Sequence, residues 1–255
     1  MVQSQSRTHL TRIEWFNPKN QNSLMPTNFQ LFGPAHLLIL ALVPVSAAVL
    51  VVVQRRFPRG FKGLRFGLVT VLVLDYVVNC GYGAAHGQLA FPDRLPLELC
   101  DVTQILVILA LFTLNRVVCD LAYYWALAGA SMAILTPNLL EHFPSFTTIQ
   151  FFVGHGLDVA APLYLVWSGQ MRPRPGSVAR AMLALNILAA FDGTFDFFFK
   201  SNYMFLRAKP QNASLLDLLG PWPWYILVTE GVALGLFLLL YLPFRQSAGR
   251  SCSNV

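Results

Sequence analysis

The chain has 255 residues, of which 55% are hydrophobic and 12% charged, with 18 Lys and Arg against 12 Asp and Glu. A soluble domain carries about 25% charged residues, and the mean hydropathy here is +0.54. This excludes a disordered chain, a collagen and a disulfide-rich secreted module, and disfavours a cytosolic globule. The net charge of +6 is dispersed between apolar blocks instead of gathered in one patch, which argues against nucleic acid and marks the cations as topology signals.

Crossing about 30 Å of hydrocarbon takes about 20 apolar helical residues. Seven blocks meet that test: Pro34–Val53, Phe66–His86, Leu97–Leu114, Val117–Thr136, Thr148–Gly169, Ala181–Ser201 and Trp224–Phe244. The expected fold is therefore all-α, a polytopic bundle of seven transmembrane helices. A polar segment (1–30) precedes a transmembrane domain (31–245) and a short tail (246–255). The first 30 residues lack the apolar core and cleavage site of a signal peptide. Only Asn115 and Arg116 separate spans three and four, which predicts a tight helical hairpin.

Eleven of the 18 cations, including Arg55, Arg56, Arg59, Lys62, Arg65, Arg116, Arg172, Arg174 and Arg180, fall on one side of that layout. The other seven fall opposite. The positive-inside rule then places the amino terminus outside and the carboxyl terminus inside. The long outer connection carries Leu215, Leu216, Leu218 and Leu219, with Trp222, Trp224 and Tyr225 as interfacial anchors, and the sequon Asn212-Ala213-Ser214.

Polar residues concentrate in the outer halves of the spans. Asp75, Asn79, Tyr82 and His86 follow one another at steps of four, three and four, so they share one helical face. That face reads either as a packing seam joined by hydrogen bonds or as one wall of a hydrated pocket. Span three opens with Pro96, Glu98, Cys100 and Asp101. Pro96 suits a first helical turn. A thiol one turn in lies near the positive end of the helix dipole, which favours the nucleophilic thiolate, while Glu98 and Asp101 oppose it. The plainer reading of Cys100 is a small apolar filler, as expected for Cys80, Cys119 and Cys252. A Cys80–Cys100 disulfide is conceivable on the outer side.

Span five holds His155 between Gly154 and Gly156, with Asp158 one turn on and within reach to orient the ring. The two glycines let a substrate or another helix approach. Asp192, Asp196 and Lys200 are spaced to pair along one face of span six, and Lys200, Arg207 and Lys209 are candidates for lipid phosphates at the outer surface. Asn138, Asn202 and Tyr203 complete the candidate pocket set. No paired Cys-x-x-Cys, His-Glu-x-x-His or glycine-rich phosphate loop occurs, so neither a metal nor a cofactor is expected.

Several stretches taken in order carry a family resemblance: Leu95–Asp101, Tyr124–Ala130, Leu135–Pro137, Gln150–Gly156, Asn202–Pro210 and Ser214–Tyr225. Together they resemble the YwaF-like integral membrane proteins, a bacterial group related to transmembrane protein 164 of animals. The resemblance implies a membrane acyltransferase with an active-site cysteine, moving fatty acyl chains between phospholipids and lysophospholipids in the bacterial cytoplasmic membrane. It implies Cys100 as nucleophile and His155 as its partner. Glu98 stands where many bacterial members are expected to carry a histidine.

Two readings follow. The first is a cysteine-nucleophile acyltransferase or lipid ester hydrolase with a Cys100–His155 dyad facing the outside. The second is a proton-coupled transporter or channel built on the outer polar pocket.

Overall fold

The computed structural model describes residues 29–87, 91–92, 94–137, 139, 144–210 and 215–245, and among these it contains no strand. Seven helices follow in chain order: α1 (Pro34–Arg56), α2 (Phe61–Ala85), α3 (Leu99–Thr113), α4 (Arg116–Leu135), α5 (Phe146–Trp167), α6 (Ser177–Phe199) and α7 (Trp224–Arg245). Six are long and apolar enough to cross a membrane. The exception is α3. Its expected span of Leu97–Leu114 shortens to 15 residues, which at 1.5 Å per residue is about 22 Å. The preceding Leu95–Glu98 forms a turn, with the Leu97 N–H donating to the Leu95 carbonyl at 2.8 Å.

Local chemistry sets the boundaries. Leu114 ends α3 in the left-handed region at φ 51°, and Asn115 caps α4 by accepting from the N–H groups of Val117 and Val118 at 3.0 and 3.3 Å. This is the expected tight hairpin, closed by a side-chain cap. Within α4, residues Ala126–Ala130 widen into a π-helical turn. Ala126, Ala128, Gly129 and Ala130, small in all but Leu127, allow that turn to pack against α3, α5 and α7.

α4 and α5 form the buried centre, and α1, α2, α3, α6 and α7 pack around them. Tyr124, Tyr164, Phe237, Leu72 and Leu111 are among the largest fully buried side chains. The outward faces are the reverse of a soluble protein's. Leu38 and Val52 on α1, Leu183 and Ile187 on α6, and Leu227 and Leu239 on α7 are each 60–64% exposed. Apolar area on that scale is stable only against hydrocarbon.

His36, which the polar-residue pattern did not single out, is fully buried at the start of α1. Its Nδ1 accepts from the Phe32 N–H at 2.9 Å, so its Nε2 carries the proton and donates to the Ile134 carbonyl at 2.8 Å. This bond ties α1 to the last turn of α4.

At the other end of the bundle, buried Asp120 accepts from Arg174 at 3.2 Å and Arg180 at 2.9 Å, joining α4 to α6 and the loop before it.

Candidate functional site

The turn at Leu95–Glu98 places three chemistry-bearing residues at the start of α3. Glu98 is the residue preceding the helix, Cys100 is its second residue, and Asp101 is its third. The first intrahelical bond runs from the Val102 N–H to the Glu98 carbonyl at 3.1 Å. The N–H groups of Leu99, Cys100 and Asp101 therefore belong to the open, positive end of the helix. Cys100 and Cys80 are both free thiols, and Cys100 is exposed.

Beside this turn lies a cavity of about 260 Å³, walled by Tyr76, Asn79 and Cys80 from α2, by Arg94 and Glu98 from the approach to α3, and by Asp101 from its first turn. Of these, Tyr76, Cys80 and Arg94 were not singled out as pocket residues from sequence. Tyr76 and Cys80 flank Asn79 on the neighbouring helical face, and that adjacency was the available signal.

The α2 stripe separates into three environments. Asp75 turns inward, where its Oδ2 accepts from Gln104 Nε2 of α3 at 3.0 Å and from Gln150 Nε2 of α5 at 3.3 Å. Asn79 faces the cavity. Tyr82 stacks on His86 with ring centroids 4.0 Å apart, and on Phe146 of α5 at 4.4 Å. Part of the stripe is thus a packing seam and part is a pocket wall. Gln104 and Gln150 are the two partners that sequence reasoning missed, although both are amides in apolar spans.

His155 sits on α5 with its Nδ1 donating to the Phe151 carbonyl at 2.9 Å. That bond fixes the tautomer and leaves Nε2 as the basic nitrogen. Asp158 does not orient the ring, contrary to the expectation from spacing. It is buried, and its Oδ1 has no hydrogen-bond partner. No hydrogen bond joins Cys100 to His155 among the described residues. Gly154 and Gly156 serve neighbouring helices: a Cβ on Gly154 would lie 2.8 Å from Asp75 Oδ2 of α2, and one on Gly156 would lie 3.5 Å from Val43 of α1.

The connection after α6 folds over the α3 turn. Asp196 Oδ1 accepts from Ser201 Oγ at 2.7 Å and from the Tyr203 N–H at 3.0 Å. The expected Asp192–Asp196–Lys200 pairing does not form. Asp192 is fully buried with no partner on either carboxyl oxygen, and exposed Lys200 ends α6 in the left-handed region. Tyr203 Oη donates to the Pro92 carbonyl at 2.6 Å and accepts from the Leu95 N–H at 2.8 Å, while Glu98 accepts from the Met204 N–H at 3.2 Å. Asn202 Oδ1 accepts from the N–H groups of Arg207 and Ala208, both at 3.0 Å.

Of the three candidate head-group cations, Arg207 reaches the Asp196 and Ser201 carbonyls, and Lys209 lies 3.7 Å from Asp217. Lys200 is exposed, and its side chain makes no such contact among the described residues. Asn138, Cys252, the sequon at Asn212, residues 1–28 and the tail 246–255 lie outside the described residues. Among the described residues, no group of three His, Cys, Asp or Glu side chains is placed to hold a metal ion.

Six membrane-length helices with apolar outer faces, enclosing polar groups at one end, define an integral multi-pass membrane protein. The chain belongs to the TMEM164 family, whose sequence profile matches residues 31–241. An uncharacterized protein of Treponema pallidum (strain Nichols) is 27% identical over 222 residues, covering 86% of this chain and 91% of that protein. No solved structure matches the chain.

Proposed function

We propose that the protein is a cysteine-nucleophile acyltransferase that moves acyl chains between phospholipids and lysophospholipids, and that it belongs with the YwaF-like bacterial members of its family. The observation that carries this reading is an exposed thiol, Cys100, in the first turn of α3 beside a polar cavity, within a bundle whose flanks are apolar. A lipid ester can reach such a thiol sideways from the bilayer, its chains staying in hydrocarbon.

In the first half-reaction His155 Nε2 takes the Cys100 proton through an intervening water. The sulfur attacks the ester carbonyl carbon, the bond from that carbon to the glycerol oxygen breaks, and the proton returns to the departing alkoxide. The acyl-cysteine is then attacked by a lysophospholipid hydroxyl, whose proton passes to His155 and back to the sulfur as the thiolate leaves. Water in place of the lysolipid gives hydrolysis. The N–H groups at the start of α3 supply oxyanion donors. The chemistry calls on no metal or cofactor and no nucleic acid. By the charge distribution, the amino terminus and the Cys100 end face outside and the carboxyl terminus faces inside, in a bacterial cytoplasmic membrane.

The buried, unpartnered carboxyl oxygens of Asp158, Asp192 and Asp196 favour a second reading, a proton-coupled carrier. Reconstituted liposomes separate the two. Acyl exchange between labelled phosphatidylcholine and lysophospholipid, followed by lipid mass analysis and lost in Cys100→Ala, supports the transferase. Proton uptake without acyl exchange, retained in Cys100→Ala, supports the carrier and refutes it.

A further inference from the structure

A second cavity lies at the other end of the molecule from Cys100. It has a volume of about 280 Å³ and is formed by the α3–α4 turn and the loop between α5 and α6. α3 separates it from Cys100 by about 22 Å. Three arginines line it, Arg116, Arg172 and Arg174, together with Gln170, and no carboxylate among the described residues does. Buried Asp120 shares its single carboxylate between Arg174, at the cavity, and Arg180. That sharing holds Arg174 at the cavity edge. Arg172 lies over the Phe244 ring of α7 at 6.0 Å, which fixes its guanidinium on the third side.

Guanidinium groups converging on one cavity suit a tetrahedral anion with several acceptor oxygens, which each planar fork can engage with two parallel bonds. The position, at the ends of membrane-spanning helices, is the depth of lipid phosphates, and basic pockets between such helices take anionic head groups.

We propose that this cavity binds a phosphoryl group, carried by an anionic phospholipid head group or by a soluble phosphate. The site is separate from Cys100 and does not depend on the acyl-transfer reading. The purified full chain in neutral detergent is titrated with phosphatidylglycerol and, separately, phosphatidylcholine, with bound lipid read by native mass spectrometry. Inorganic phosphate against chloride forms a parallel arm, read by thermal shift and by competition with the lipid.

Replacing Arg116→Gln with Arg172→Gln weakens phosphatidylglycerol binding by about thirtyfold, and Arg116→Gln alone weakens it by about fivefold, at the strength of one cationic contact per arginine. Both side chains are exposed, so the variants keep the wild-type melting temperature. The pair Arg55→Gln and Arg56→Gln, which removes equal charge from exposed positions outside the cavity, leaves binding unchanged. Competition by millimolar phosphate identifies a soluble ligand, and its failure identifies the lipid. The proposal is overturned if the Arg116/Arg172 variant binds both probes as wild type does. It is equally overturned if the Arg55/Arg56 variant loses as much, since the attraction is then diffuse surface charge.

Discussion

The two glycines beside His155 make opposite predictions when a methyl group is added. At Gly154 the new Cβ would stand 2.8 Å from Asp75 Oδ2 and 3.7 Å from Gln150 Nε2. The carboxylate has to retreat by about half an ångström to restore van der Waals contact, yet Gln104 and Gln150 hold that same oxygen at 3.0 and 3.3 Å. Overpacking of this kind costs about 1–3 kcal/mol, and straining the amide bonds adds about 1 kcal/mol. Against this, alanine gains about 1 kcal/mol over glycine in a helix interior. The net expectation for Gly154→Ala is a loss of about 1–3 kcal/mol.

At Gly156 the added carbon meets only Val43 at an ordinary 3.5 Å, so the same substitution is neutral or gains up to about 1 kcal/mol. Both variants are compared by reversible unfolding in mixed micelles, alone and with Asp75→Ala. Removing the carboxylate should abolish the Gly154→Ala penalty, a coupling of about 2 kcal/mol between the two positions. A Gly154→Ala protein as stable as wild type, or a penalty unchanged without Asp75, would refute the account of Asp75 as the group that Gly154 accommodates.

Three further outcomes are expected. Asn115→Ala removes the cap on α4 and lowers stability by about 1 kcal/mol in the same unfolding assay, while Asn115→Asp retains most of it. His36→Phe fills the same space but leaves the buried Ile134 carbonyl without its donor, a loss of about 1–3 kcal/mol; the Phe32 N–H, on an exposed residue, recovers a partner in water. Tyr203→Phe frees the Pro92 carbonyl and the Leu95 N–H. It loosens the turn before α3, which hydrogen exchange reads as faster exchange at residues 95–101 with no change in α5.

The seven helices are legible in the sequence because apolar blocks of membrane length carry their own signal, and the ends agree to within a few residues apart from α2 and α6. These two begin about one turn early, since Phe61–Arg65 and Ser177–Arg180 are too polar to register as hydrocarbon-facing yet continue the helix. α3 is shorter than its apolar block because the backbone turns at Leu95–Leu97 and becomes helical only after Glu98.

Pro96 was expected in the first turn of α3, but the helix starts three residues later at Leu99, so Cys100 and Asp101 are its second and third residues. Side-chain pairing was not legible. In an apolar span a polar side chain finds its own preceding turn first: His155 bonds the Phe151 carbonyl, His86 that of Tyr82, Thr103 that of Leu99 and Thr194 that of Ala190. Spacing alone suggested Asp158 for His155, and missed the backbone as competitor. The Asp75 contacts with Gln104 and Gln150 depend on which helices are neighbours, and one helical face does not carry that information.

The central claim is that Cys100 carries the acyl group. Its most direct test is the intact mass of the purified protein after incubation with a phospholipid of defined chains and a rapid acid quench. The account predicts an adduct of one acyl chain on the wild-type protein, absent from Cys100→Ala and released by hydroxylamine, with lipid turnover lost in His155→Ala. Wild-type protein free of adduct across lipids and quench times, together with undiminished turnover in Cys100→Ala, would contradict it.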